Sequence, residues 1–288
     1  MAKVYDPYEN VVATMEEAME VGKIDKTMFD IIKNPQRETK VYLPLEMDDG
    51  TVKDPKTLSK RELRNLTRRY TFAIAPIIGA DTDIPAPDVN TNAQTMAWVL
   101  DTYSQLQGKP CPGVVTGKPI ELGGSRGRNS ATGRGVVIST KLLLKTVGKE
   151  LAGTTVAIQG MGNVGSNAAK IFHHRGAKVV AVSDVSGGIY CADGLDMDVI
   201  SDFVEQTGKL LKEYEAPNIT HITNAEVLTC ACDVLVPAAL ENQITEENAP
   251  KLACRYIVEA ANGPTTTEAD AILKERGILL IPDIFANS

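Results

Sequence analysis

Apolar residues recur along this 288-residue chain at two different spacings, and the change of spacing divides it. Near the start, Val12, Met15, Ala18 and Met19 fall on one face of a helix over residues 10–21. Gly22 stands where a C-terminal cap would end that helix. A second short helix fits residues 25–33, and "KVYLPLEMDDGTVK" (40–53) reads as a strand, an acidic turn at Gly50 and the start of a second strand. The pattern breaks at Asp54-Pro55. A new helix follows, with Ser59 and Glu62 spaced for a capping box. Its row of Lys60, Arg61, Arg64, Arg68 and Arg69 reads as a solvated basic face. Further on, "DTDIPAPDVNTNAQTMAW" (81–98) passes from a proline-broken, aspartate-rich turn into another helix, and Asp88 stands at the junction.

From residue 131 the grammar changes to short, continuously apolar runs separated by helical segments. The runs are residues 154–160, 178–184, 232–239, 256–262 and 278–283. Such runs predict a parallel sheet covered by helices on both faces. Prolines and glycines over 108–128 mark a loop-rich approach to it. The expectation is an α/β chain with a boundary near residue 130.

Composition narrows the chemistry. A formal net charge of −7 argues against nonspecific binding to nucleic acid or to an anionic membrane. No apolar run approaches the ~20 residues that span a bilayer. The N-terminal stretch "MAKVYDPYEN" has no apolar signal core, so a cytoplasmic location is expected. Five cysteines, with Cys230 and Cys232 as a C-x-C near His221, read as reduced thiols rather than a metal site.

The most informative stretch for binding is "TTVAIQGMGNVGSNAAKIFHHRGAKVVAVSD" (154–184). Gly160, Gly162 and Gly165 form G-x-G-x-x-G directly after a strand and before a helix. The three glycines serve a tight turn, backbone approach to a pyrophosphate, and close helix–strand packing. Free N–H groups of the helix's first turn, at Asn163 and Val164, would receive the phosphate. Asp184 ends the next strand about 20 residues on, where a ribose-binding acid belongs. Its carboxylate favours NAD over NADP, although Ser183, Ser186 and a flexible "SGG" leave room for NADP. His173 and His174 on the following helix read as surface or packing residues.

Together these segments resemble the glutamate dehydrogenase (Glu/Leu/Phe/Val dehydrogenase) family. The stretches that carry the resemblance are "TDIPAPDVNT" (82–91), "TGKPIELGGSRGRNSATGRGV" (116–136), "IQGMGNVG" (158–165), "VSDVSGGIY" (182–190), "PAALENQIT" (237–245) and "ANGPTTTEAD" (261–270). The resemblance implies NAD(P)-dependent oxidative deamination of L-glutamate to 2-oxoglutarate and ammonia, usually by homohexamers. It makes residues 131–288 a Rossmann dinucleotide-binding domain and residues 1–130 an incomplete α/β substrate and oligomerisation domain. It implies that Asp88 is the acid/base carboxylate that moves protons at the substrate amine. It places Thr132 by the nicotinamide carboxamide with Gly133 relieving crowding there, Ala238 at a backbone contact, Asn262 at the nicotinamide ribose, and Asn287 at the cofactor–substrate junction.

The chain also departs from the family. Relatives carry a long segment between the first hairpin and "DPKTLSKREL", with glycine- and lysine-rich patterns that bind the substrate carboxylates and supply a catalytic lysine. Neither pattern occurs in these residues. The sequence ends at "IPDIFANS", where relatives continue into further helices. The resemblance thus implies an internally deleted, C-terminally truncated member that binds dinucleotide but turns over poorly. The alternatives are an impaired dinucleotide-binding variant and a relative of the leucine or phenylalanine dehydrogenases.

Overall fold

The computed structural model of the protein describes residues 7–43, 58–88 and 91–287. The chain divides into two compact units, Met15–Arg128 and Met1–Thr14 with Asn129–Ser288.

In the first unit, α3 (Lys60–Ile74) and α4 (Ala93–Gln107) carry the packing; ahead of them lie α2 (Lys26–Ile32) and the second half of α1 (Pro7–Gly22), whose residues up to Thr14 are assigned to the other unit rather than to the 1–130 domain expected from sequence. The expected capping box forms: Ser59 Oγ accepts from Glu62 N at 3.2 Å, and Glu62 Oε2 accepts from Ser59 N at 2.8 Å. Ile74, Ile78, Met96, Val99, Leu100, Val114 and Val115 make one small buried cluster. Part of the basic face is tied down rather than solvated, since Arg68 pairs with Asp101 at 2.5 Å and donates to Thr102 at 3.1 Å. The hairpin expected over 40–53 lies mostly outside the described residues, and its described part, 40–43, is not a strand.

The second unit is built on seven strands, β1 (Thr155–Gln159), β2 (Lys178–Asp184), β3 (Gly187–Tyr190), β4 (Thr220–Ile222), β5 (Val234–Pro237), β6 (Tyr256–Val258) and β7 (Leu279–Ile281). Their order is β4-β3-β2-β1-β5-β6-β7. Five strands are parallel, as the apolar runs predict, and β3 and β4 add an antiparallel edge. This edge was not expected. The "SGG" that reads as a flexible loop in sequence is a turn followed by β3, paired with β2 through Ser183–Gly188 and Asp184–Gly187. Gly188 is needed for close packing there, because a Cβ would stand 2.6 Å from Val227 Cγ2.

Alternation along the strands loads both faces. Val156, Ile158, Val179, Val182, Val234 and Val236 meet α5 (Arg128–Thr146), α6 (Asn163–His174) and α7 (Met197–Thr207) on one side. Ala157, Ala181, Leu235 and Ile257 meet α8 (Asn224–Thr229) and α9 (Thr267–Glu275) on the other. Phe172 of α6 is fully buried in the first cluster. Emptying its place removes transfer energy and leaves a cavity, so Phe172→Ala is predicted to cost about 3–5 kcal/mol. Urea unfolding of the variant tests this, and a loss below about 1 kcal/mol would contradict the placement of Phe172 at the centre of the core.

Candidate dinucleotide site

The chain leaves β1 through α6 to β2 on one side, then returns to β5 on the other. The gap between the β1 and β5 C-terminal ends is therefore a topological switch point, where open α/β sheets bind ligands. The glycine loop sits in this gap. Gly160 takes φ +100°, and a Cβ there would lie 2.9 Å from the carbonyl carbon and oxygen of Ala238 and from Ala239 Cα. A Cβ on Gly165 would stand 1.8 Å from Gly160 O, so α6 packs onto the loop backbone. Gly162 differs from both. It is the N-cap of α6, makes no side-chain cap bond, and has nothing within 4 Å of a built Cβ. The first turn of α6 thus opens on space, with N–H groups that no cap side chain satisfies. This is the geometry an anionic phosphate fits.

The other expected cofactor residues gather on the same unit. Asn163 is exposed and accepts from the Asn167 side chain at 3.2 Å, while Val164 packs against the core. Ala238 follows β5 and donates its N–H to Gln159 O at 2.8 Å. Thr132 lies near the start of α5, half-buried. The crowding that Gly133 relieves is with α6: a Cβ would lie 2.8 Å from Ala168 N and 2.9 Å from Asn167 Cβ. That contact brings the start of α5 against α6. Asn262 and Asn287 meet directly, Asn287 Nδ2 donating to Asn262 Oδ1 at 2.8 Å.

Asp184 stands at the end of β2 as expected, and its carboxylate already has partners. Oδ1 accepts from Ser186 N at 2.7 Å and Ser186 Oγ at 2.5 Å, and Oδ2 accepts from Leu211 N at 2.7 Å. A carboxylate has about four acceptor positions, so room for a ribose hydroxyl remains. Ser186, read in sequence as a residue that leaves room for NADP, instead helps fix the acid's orientation.

Asp88 belongs to the other unit. It is exposed, and its backbone closes a turn with Thr91: Thr91 N donates to Asp88 O at 2.9 Å, and Asp88 N donates to Thr91 Oγ1 at 2.6 Å. Asn92, not Asp88, caps α4, with a reciprocal bond from Thr95. The structural duty of an aspartate before a helix has therefore passed to its neighbours. The cap needs an oxygen acceptor, and Asn92 supplies it.

Sequence reading missed Glu259. It follows β6 directly and is 6% exposed. Burial pushes its carboxyl up to about 7, the Thr265 hydroxyl and the bond from Asp283 N at 3.0 Å hold it back, and the charges of Asp283 and Asp270 push the same way as burial. Thr265 Oγ1 lies within its reach but makes no well-formed bond of its own. The Thr265 hydroxyl, as a donor toward the carboxylate, acts against the effect of burial. Asp283 in turn accepts from Gly263 N at 2.7 Å. These reciprocal bonds tie the loop after β6 to α10 (Asp283–Ala286), and so set Asn262 beside Asn287. The only sequence signal is a charged residue closing the apolar run "YIVEAAN".

Two family models match this chain: Glutamate/Leucine/Phenylalanine/Valine dehydrogenase over residues 123–288, and Glu/Leu/Phe/Val dehydrogenase, dimerisation domain, over 48–105. The chain belongs to the Glu/Leu/Phe/Val dehydrogenase family. Glutamate dehydrogenase A2 of Halobacterium salinarum is 41% identical over 340 aligned positions, covering 98% of this chain and 81% of that protein. The cryptic catabolic NAD-specific glutamate dehydrogenase of Bacillus subtilis is 51% identical over 239 positions, covering 83% of this chain and 55% of its own length. Among solved structures, a hetero-hexameric glutamate dehydrogenase from Thermus thermophilus superposes with a TM-score of 0.86 at 32% identity, covering 99% of this chain and 82% of its own. In this dehydrogenase-family chain, as in the sequence, the glycine loop and the acid after β2 stand together on one unit.

The Glu259 geometry yields a pH dependence. Its folded value lies above the ordinary 4.5, so the stabilisation from the protonated form is full below about pH 4.5 and is lost as pH rises through about 7. The loss is on the order of 3 kcal/mol. Glu259→Gln should flatten this limb and leave the variant more stable than the parent at pH 8. Urea unfolding at pH 5 and pH 8 measures it, and parallel losses in both proteins would refute the assignment.

Proposed function

We propose that this chain binds NAD at the switch point of its seven-stranded unit and is built for oxidative deamination of L-glutamate, with turnover curtailed by a missing internal segment. The observation that carries the binding half is the open first turn of α6 above Gly162, beside the Cβ-free contacts at Gly160 and Gly165. The residues fit the cofactor. The N–H groups of Asn163, Val164 and Gly165 would hold the pyrophosphate, Asp184 the ribose, and Thr132, Ala238, Asn262 and Asn287 the nicotinamide end. Bound NAD supplies a hydride acceptor. Family relatives named NAD-specific support NAD over NADP.

Asp88 is the proton-carrying group in this reading, and an exposed carboxylate can exchange protons with bulk water. Preorganised charge at such a site is worth several kcal/mol per group, and the lysine-bearing segment does not occur in this sequence. The alignment to the Halobacterium salinarum relative, longer than this whole chain at 340 positions, supports a gap of that kind. The unit Met15–Arg128 is then an incomplete substrate and oligomerisation domain, as the dimerisation-domain match over 48–105 supports. Assembly as a homo-oligomer fits that match, and five free thiols fit a reducing cytoplasm. No described helix is long and apolar enough to cross a membrane.

Titrating NAD, NADP and L-glutamate into the purified chain, following both binding and the absorbance of reduced cofactor, tests both halves. NAD should bind without measurable turnover. Turnover at ~1–1000 per second would overturn the curtailed-activity reading, and failure of NAD to bind would overturn the site.

A further inference from the structure

Among the described residues, one group of three His, Cys, Asp or Glu side chains brings its ligand atoms within 4.8 Å of one another: His173, Asp196 and Asp198. It lies outside the dinucleotide site, at the far end of α6 from the glycine loop. His173 stands in the last turn of α6, Asp196 is the N-cap of α7, and Asp198 lies in the first turn of α7. His173 Nε2 is 3.9 Å from Asp196 Oδ1. We propose that these three side chains form a binding site for a divalent transition metal of the zinc class, bridging α6 and α7.

The donor set is one imidazole and two carboxylates. That mixture suits a borderline cation such as Zn²⁺, whereas Mg²⁺ and Ca²⁺ favour oxygen donors alone. Three protein ligands leave a position for water. Asp196 Oδ1 caps the helix, accepting from Asp198 N at 3.1 Å and Val199 N at 3.2 Å, and a carboxylate's about four acceptor positions leave Asp196 able to ligate as well. Asp198 is held from outside the set: His174 Nε2 lies 2.9 Å from Oδ1 and 2.8 Å from Oδ2. His174 follows His173 directly, and successive helical side chains diverge by about 100°. The two rings, 5.9 Å apart, therefore divide the work. His173 ligates, and His174 orients a ligating carboxylate, as outer partners do at metal sites. Lys170, the charged neighbour that also acts on Asp198, is itself paired with Glu205 at 2.9 Å. The C-terminal end of α6 favours a cation near His173, the N-terminus of α7 opposes one, and the two aspartate charges supply the attraction.

The test is titration of the apo chain with Zn²⁺ against a chromogenic zinc chelator at pH 7.5, with Mg²⁺ as the comparison ion and thermal unfolding in parallel. The expected result is a single Zn²⁺ bound per chain, a raised Tm, and no such response to Mg²⁺. His173→Ala and Asp198→Asn should each weaken Zn²⁺ binding more than His174→Ala, whose cost should be about 10- to 100-fold. His221→Ala, at a histidine paired with Glu215 elsewhere in the unit, should bind as the parent does. Circular dichroism of each variant separates lost binding from lost fold. Unchanged Zn²⁺ binding in folded His173→Ala, or no saturable binding in the parent, would overturn the proposal, whichever way the NAD titration falls.

Discussion

Where β1 gives way to α6, backbone lies on backbone. The built Cβ of Gly165 would fall 1.8 Å from Gly160 O, and that of Gly160 within 2.9 Å of the chain after β5. No side chain fits at either place, and the consequences spread from there. The helix starts close against the sheet end, its first turn is left open at Gly162, and the loops after β1 and β5 stand side by side. Gly133 extends the same constraint to α5, whose start rests on α6 with no Cβ between them. These close contacts together position the elements that carry the expected cofactor residues.

Much of this was legible in the sequence because it depends on local, periodic signals. The apolar runs gave the five parallel strands, and the glycine spacing gave the loop. Ser59 with Glu62 gave the start of α3. What escaped reading had no local signature. β3 contains two glycines and β4 is three residues, two of them exposed, so neither looks like a strand until β2 is in place for β3 to pair with, and β3 for β4. Glu259 escaped because its importance comes from burial and from Asp283, a residue distant in sequence. The cap of α4 escaped because Asp88 and Asn92 are both plausible acceptors, and only backbone geometry chooses between them.

On the proposed function, the two halves of the family's chemistry are unequally served in this chain. The dinucleotide half is complete in its backbone architecture and internally braced. In the function proposed above, the proton-transfer half would rest on Asp88, in a sequence that does not carry the lysine-bearing segment of its relatives. Binding a cofactor and turning it over are separable demands. The first needs shape and oriented N–H groups, and the second needs charge placed where charge develops. A chain can meet one and fail the other.

The sheet begins and ends on strands of three residues, β4 and β7. An edge strand offers unpaired N–H and C=O groups to any other chain, and the hazard grows with its length and flatness. Two such short edges give an incoming strand little to template on. The folded unit is thereby guarded against edge-to-edge pairing with a second copy by the brevity of its borders rather than by charge or a covering loop.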